Sequence, residues 1–248
     1  MYNIFRISLL AALMILSGTM AHSVSMQGKQ KDDLISKTAS NGASAMVQIE
    51  PAFAVHSDST AVLIMDYQND IVSMLPPDVQ TALLERASII LKAARQARIP
   101  IVYIVVRFRD GYPEINVRNK LFSGLKDSKR LREGTPGAEI HAKVAPNPGD
   151  IVVTKRRVGA FSTTELETVL RAHGINTLVL LGIATSGVVL STVRWAADMD
   201  YSLVVISDAC ADRDAEVDRV LMDKVFPRQA TVVTTREFVT AVGMKTPE

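Results

Sequence analysis

The chain has one cysteine, Cys210, in 248 residues, so no intrachain disulfide can form even in an oxidising compartment. The expectation for that thiol is a small buried core side chain. Histidine is almost as scarce, at four. His56, His141 and His173 fall at no spacing that brings ligands together, so neither a metal nor another cofactor is expected. Charge of one sign is also missing: 28 Lys and Arg stand against 26 Asp and Glu, for a net charge of +2. The basic residues are scattered rather than gathered in a stripe, which removes the electrostatic footprint of a nucleic-acid binder. The N-terminal apolar run, Ile7 to Leu16, is shorter than the about 20 residues a membrane span needs, so no stable membrane insertion is expected. With 48% hydrophobic residues, the remainder can still bury a full core as one domain.

Arg6 precedes the apolar run, and Ser17-Gly18-Thr19-Met20-Ala21 supplies the small residues of a cleavage site. Residues 1–21 are therefore predicted to be a secretory signal peptide, and the protein to be secreted or periplasmic. Residues 22–50 are polar and read as a flexible leader. The folded domain is expected over residues 51–248.

Within that domain short apolar runs alternate with segments of helical period. Strands are predicted at Ala61–Met65, Ile101–Val106, Ile151–Thr154, Thr177–Leu181, Leu203–Ile206 and Thr231–Val233. Helices are predicted at Leu83–Ala97, Thr163–His173, Gly187–Met199 and Ala215–Val225. Six runs that are apolar throughout, separated by helices, indicate an α/β fold: a doubly wound, three-layer arrangement with a six-stranded parallel sheet covered on both faces. The long stretch from Arg107 to Asp150, rich in Gly, Pro and charge, is expected to be functional surface. In such a sheet ligands bind beyond the carboxyl ends of the strands, where strand order reverses. Asp66 follows the first strand, Lys155 the third, and Thr185-Ser186-Gly187 joins the fourth to its helix. If the order is 3-2-1-4-5-6, all three share one edge, and the turn at Gly187 presents helix N-terminal amides to the same cleft.

The blocks Ala61-Val-Leu-Ile-Met-Asp66-Tyr-Gln-Asn-Asp70, Thr154-Lys155 with Gly159-Ala160-Phe161 and Leu166, Leu181-Gly182-Ile-Ala-Thr185-Ser-Gly-Val188-Val-Leu-Ser-Thr192, and Asp208-Ala-Cys-Ala-Asp212 occur in that order. Over residues 58–240 the chain thereby resembles the isochorismatase-like hydrolase superfamily. The resemblance implies a homo-oligomeric hydrolase of small molecules, with Asp66 as acid/base and Lys155 as its partner. It also places the cysteine of the thiol-dependent members at Val188, which has no nucleophilic atom. That closes the acyl-thioester route and leaves the chemistry of the isochorismatases proper, in which an acid protonates a vinyl ether and water captures the cation. A carboxyl group can do this near neutral pH only if its surroundings raise its pKa, as a cleft wall of Met65 and Phe161 would. Lys155 would act the other way, lowering it, while orienting the carboxyl or stabilising negative charge.

Other members of the superfamily hold a metal with histidines just after the second strand. Here the stretch is Arg107-Phe108-Arg109-Asp110-Gly111-Tyr112-Pro113, without histidine. Arg107 and Arg109 alternate on an extended segment, so one could face the cleft and bind a substrate carboxylate; salt bridges to Asp70, Asp110 or Glu114 are the competing use. Gln68, Asn69 and Asp70 are expected to organise the turn after Asp66, with Gln68 also a candidate for substrate contact beside Phe161 and Ser186. The backbone around Gly187 and Val188 is expected to bind an anion. Ser186 and Ser191 flank the valine, but a serine nucleophile needs an adjacent base. Trp195 and the stripe Val189, Val193, Ala196 read as helix packing. Two functions follow: a metal-independent hydrolase of a small, carboxylated or amide-like molecule, or an inactive relative that binds a small molecule or a protein.

Overall fold

The computed structural model describes Phe53 and residues 55–243. The predicted signal peptide and leader lie outside the described residues, and among these no helix is long and apolar enough to cross a membrane.

Six strands form one sheet: β1 (Thr60–Met65), β2 (Ile101–Val106), β3 (Ile151–Lys155), β4 (Thr177–Ile183), β5 (Ser202–Ala211) and β6 (Thr231–Val233). Their order is β3-β2-β1-β4-β5-β6, and every pairing is parallel. The chain winds outward through β2 and β3, then returns to the other side of β1 with β4. The reversal point therefore lies between β1 and β4.

Strand residues alternate sides, and both sides are apolar. Val62 and Ile64 of β1 join one core with Leu83, Ile90 and Phe238. Ala61, Leu63 and Met65 join a second with Leu166, Val193 and Phe226. This double burial explains why the strands read as unbroken apolar runs. Helices α1 (Pro77–Gln96), α2 (Leu166–Ala172), α3 (Leu190–Asp198), α4 (Ala215–Val220) and α5 (Thr235–Ala241) stand between and after the strands in the chain. Among them α1 and α5 supply the first core, and α2 and α3 the second.

Three differences from the sequence-based elements have physical causes. Helix α1 begins at Pro77 rather than Leu83, because its first turn is built from a proline at N1 and Asp78, which favour a helix start but carry no apolar period. Strand β5 runs on to Ala211, with a register shift opposite Leu180 and Gly182. Helix α5 was not anticipated, although its start is a capping box: Thr234 and Glu237 exchange side-chain and backbone hydrogen bonds, the signature of a Thr followed three residues later by Glu.

The stretch from Arg107 to Asp150 is a packed structure rather than a bare loop. Phe108 sits 5.2 Å from the ring of Phe122 and 6.0 Å from that of Tyr112. Those three rings are buried together with Ile115 and Leu131. The stretch is tied to the turn after β1 by three consecutive residues. Gln68 Nε2 donates to the carbonyls of Val106 at 2.9 Å and Ala138 at 2.7 Å, and its Oε1 accepts from Val106 N–H at 2.8 Å. Asn69 donates to Pro136 O at 2.7 Å, and Asp70 accepts from Leu131 N–H at 2.7 Å. Gly137 is needed there, since a Cβ would stand 2.3 Å from the Asp70 carboxylate.

Candidate active site

Asp66 is the first residue past β1. Its N–H donates to Ile104 O at 2.8 Å, which extends the ladder by one rung. Its backbone then turns into the left-handed region, with φ 61°. A non-glycine residue held there stores of the order of 1–3 kcal/mol, and the turn takes the side chain off the sheet face towards the strand ends.

Lys155 ends β3, in register with Val106 of β2. Asp66 lies two strands away, about 10 Å by strand spacing, so a long stem is needed to reach it across the end of β2. Lys155 Nζ donates to Asp66 Oδ2 at 2.8 Å and to Arg157 O at 3.2 Å. The pair is buried, with side-chain exposures of 1% and 6%. The other carboxylate oxygen, Asp66 Oδ1, is buried with no hydrogen-bond partner among the described residues. Burial raises the Asp66 pKa above the usual carboxylate value, and the charge and hydrogen bond of Lys155, with a lesser contribution from the nearby Val106 backbone N–H, oppose that rise without cancelling it.

The third part is the connection between β4 and α3. After the cis Ile183–Ala184 peptide, residues Thr185–Val189 form a π-helical turn, a local irregularity that recurs at functional sites. Val188 is buried, at 2% exposure. Gly182 lets this turn sit close to β1, because a Cβ there would lie 3.1 Å from the side chains of Met65 and Val189. Gly187 has no such constraint, its added Cβ meeting nothing nearer than 3.8 Å. Two amides at this turn already have partners. Gly187 N–H donates to Ala184 O at 3.0 Å, and Ser186 N–H donates to Asp212 Oδ2 at 2.7 Å.

These parts converge on one cavity of about 580 Å³, a size suited to a small molecule. Asp66, Lys155, Ser186, Gly187 and Val188 all line it. Four sequence-predicted residues do not. Gln68 is fully buried, and its amide is occupied by backbone groups. Arg107 donates to Ala138 O at 3.1 Å and pairs with Glu139 at 2.9 Å. Arg109 pairs with Glu114 at 2.7 Å. Phe161 packs on Trp195 and Tyr201 in the second core, with ring centroids at 6.4 Å and 6.1 Å. The wall near Asp66 is made instead by residues such as Ile71, Val106, Leu131, Ile183 and Val188, and Met65 belongs to the second core.

Sequence reasoning missed Arg130, Asp212 and Arg213, which also line the cavity. Asp212 closes the last of the sequence blocks and Arg213 follows it, so the block boundary was the available signal. Arg130 carried none, since it lies far along a stretch without periodicity. Among the described residues no three His, Cys, Asp or Glu side chains stand close enough to hold a metal ion. The serine beside the cavity, Ser186, has no histidine there to act as a base. Cys210 is buried, and burial pushes its thiol far above the ordinary range.

The geometry defines an open α/β protein with a small-molecule cavity at its switch point and a buried carboxylate–ammonium pair in the cavity wall. A family model described as the isochorismatase domain matches residues 60–237. The uncharacterized isochorismatase family protein YwoC of Bacillus subtilis (strain 168) is 32% identical over 189 residues, covering 74% of this chain and 94% of that protein. The ureidoacrylate amidohydrolase RutB of Agrobacterium fabrum is 32% identical over 199 residues, covering 72% of this chain and 83% of its own length. An isochorismatase family protein from Burkholderia thailandensis superposes with a TM-score of 0.65 at 27% identity, covering 76% of this chain and 97% of that one. The N-carbamoylsarcosine amidase of Thermoplasma acidophilum does so with a TM-score of 0.59 at 25% identity, covering 71% and 96%. The chain belongs to the isochorismatase family.

Proposed function

We propose that the protein is a metal-independent hydrolase of isochorismatase type that acts on a small carboxylated molecule through Asp66 and Lys155, without a thiol nucleophile. The observation that carries this is the divided state of the Asp66 carboxyl group. Lys155 holds Oδ2 at 2.8 Å, while Oδ1 is buried without a hydrogen-bond partner among the described residues, in a residue that lines the cavity. An acid catalyst needs both a retained proton and a free oxygen from which to deliver it. The raised pKa favours the first, and the absence of a competing partner favours the second.

The chemistry that suits these groups is hydration of a vinyl ether. Asp66 gives its proton to the terminal carbon of the double bond, leaving an oxocarbenium ion. Water adds to that cation and releases a proton, which returns to the Asp66 carboxylate. The resulting hemiketal breaks into an alcohol and a carbonyl compound. Lys155 keeps the carboxyl oriented and stabilises the carboxylate while its proton is on the substrate. Amide hydrolysis through an acyl-enzyme has no support, because Val188 stands where the thiol-dependent relatives are expected to carry cysteine, and Cys210 is buried with its thiol held protonated.

The test is to incubate the purified protein and an Asp66→Ala variant with isochorismate, other small vinyl ethers and a panel of amides, and to follow product by liquid chromatography. Vinyl-ether turnover that vanishes in the variant is the expected result. Binding without any turnover would favour the second reading, an inactive member that only binds, for which Val188 is the specific observation. Export directed by residues 1–21 and assembly into homo-oligomers belong to the same proposal. Fractionation with N-terminal sequencing tests the first, and light scattering the second.

A further inference from the structure

The cavity holds two guanidinium groups, Arg130 and Arg213, and they differ in what already engages them. Arg130 is committed to Asp70: its Nε stands 3.8 Å from the carboxylate, and its Nη2 donates to the Asp70 carbonyl. Arg213 is exposed, and among the described residues it takes no acid and no hydrogen bond.

The lack of a partner is built into the loop that carries it. Arg213 stands between two aspartates whose carboxylates are turned to backbone donors. Asp212 accepts from Ser186 N–H at 2.7 Å and Asp214 N–H at 3.4 Å. Asp214 caps α4, accepting from Glu216 N–H at 2.9 Å and Val217 N–H at 3.3 Å. The loop backbone is thus pinned on both sides of Arg213, while the acids nearest in sequence, Asp212 in the same cavity lining among them, spend their hydrogen bonds on backbone donors. A cation carried on a pinned loop at a cavity, without a carboxylate partner, is available to pair with an anion.

Much of the remaining lining is hydrocarbon. Met74, Leu121, Phe122 and Leu125 all border the cavity, with Met74 41% and Leu121 66% exposed. Exposed apolar side chains around a concave site are covered when an apolar ligand enters. A fork-shaped cation beside a greasy wall selects a carboxylate with an apolar body over either an uncharged ring or a small hydrophilic acid.

We infer that Arg213 is the specificity-determining residue of this cavity, pairing with the carboxylate of a substrate whose apolar body lies against Leu121, Phe122 and Leu125. The inference rests on the Asp66 cavity being the substrate site. It moves anion recognition from the sequence-predicted Arg107 and Arg109 to the loop between β5 and α4.

Three probes separate charge from hydrocarbon: benzoate, acetophenone with the same ring and no charge, and acetate with the charge and no ring. Each is titrated by NMR into the purified protein and into Arg213→Gln, Arg213→Lys and Arg109→Gln variants. The wild-type protein is expected to bind benzoate at least about tenfold tighter than acetophenone, equivalent to ~1.4 kcal/mol, and tighter than acetate. Arg213→Gln should erase the preference over acetophenone, and Arg213→Lys should keep part of it, as a point charge lacks the planar fork. Arg109→Gln should keep all of it. The inference is overturned if the preference survives in Arg213→Gln, is lost in Arg109→Gln, or is absent from the wild type. Equal binding of acetate and benzoate overturns the apolar half. None of the probes carries a bond that the proposed chemistry breaks, so a failure here is distinct from a failure of acid catalysis by Asp66.

Discussion

Asp66 is buried beside an ammonium group, and two opposed effects set its charge. Desolvation disfavours the carboxylate and Lys155 favours it, with a net rise in pKa. If Asp66 is the acid, kcat/KM should be high while it is protonated and should fall as pH rises through its raised value. Lys155→Met removes the opposing charge, so that falling limb should move to higher pH even as the rate drops; a limb that stays in place would dissociate it from Asp66. Stability follows the same sign. A carboxyl whose folded pKa exceeds its unfolded value, about 3.9, contributes stability that is full below about pH 4 and lost as pH rises through the folded value. Urea unfolding of Asp66→Asn should therefore show a flatter pH dependence above pH 4 than the wild type. Cys210, at the opposite extreme, is buried with its thiol pushed far up, and reactivity belongs to the thiolate. A chromogenic disulfide reagent should label it at pH 8 only after unfolding. Rapid native labelling would show that the thiol is reachable and ionised.

At the scale of elements, the site depends on how closely β1 and the π-helical turn approach. Gly182 sets that distance, as a Cβ would meet Met65 and Val189 at 3.1 Å and the Met65 carbonyl at 3.2 Å. Gly182→Ala should cost about 1–3 kcal/mol through overpacking, measured by denaturant midpoint. It should also lower activity by moving the turn away from Asp66. Gly187→Ala is the contrast, with no contact under 3.8 Å, and should unfold within about 0.5 kcal/mol of the wild type, as substitutions free of such features do. Equal effects from the two glycines would mean that the close approach is not what holds the turn.

For the whole molecule, the central strands and the cavity wall differ in how deeply they are held. Every residue of β1 and β2 is buried, whereas most residues from 116 to 129 are at least partly exposed and carry only one short helix, Leu125–Ser128. Hydrogen exchange should be slowest in β1, β2 and β4, where opening requires global unfolding, and faster by orders of magnitude between residues 116 and 129. Protection of that segment as high as that of β1 would mean that the wall of the cavity is as rigid as the sheet.

The linear pattern carries the parallel sheet and the residues that stand at its strand ends. Strands buried on both faces leave an apolar run that a linear reading detects, and helices between them imply parallel strands; the order β3-β2-β1-β4-β5-β6, which brings Asp66, Lys155 and the turn at Val188 to one side, is set by the fold. Segments with a strong period are therefore legible, α1 and α3 among them, whereas α5 is signalled only by its capping box at Thr234 and Glu237. Where polar side chains find their partners is settled only on folding. Gln68, Arg107 and Arg109 have the right chemistry for substrate contact, but each is met by a group from the aperiodic stretch after β2: Ala138, Glu139 and Glu114. Among the described residues Arg213 lacks a partner, and its neighbours Asp212 and Asp214 turn to backbone amides. Apolar burial is a property of a residue and its period, which the sequence carries locally. Hydrogen bonding and ion pairing are properties of pairs distant in the chain, and they exist only once the fold has brought those pairs together.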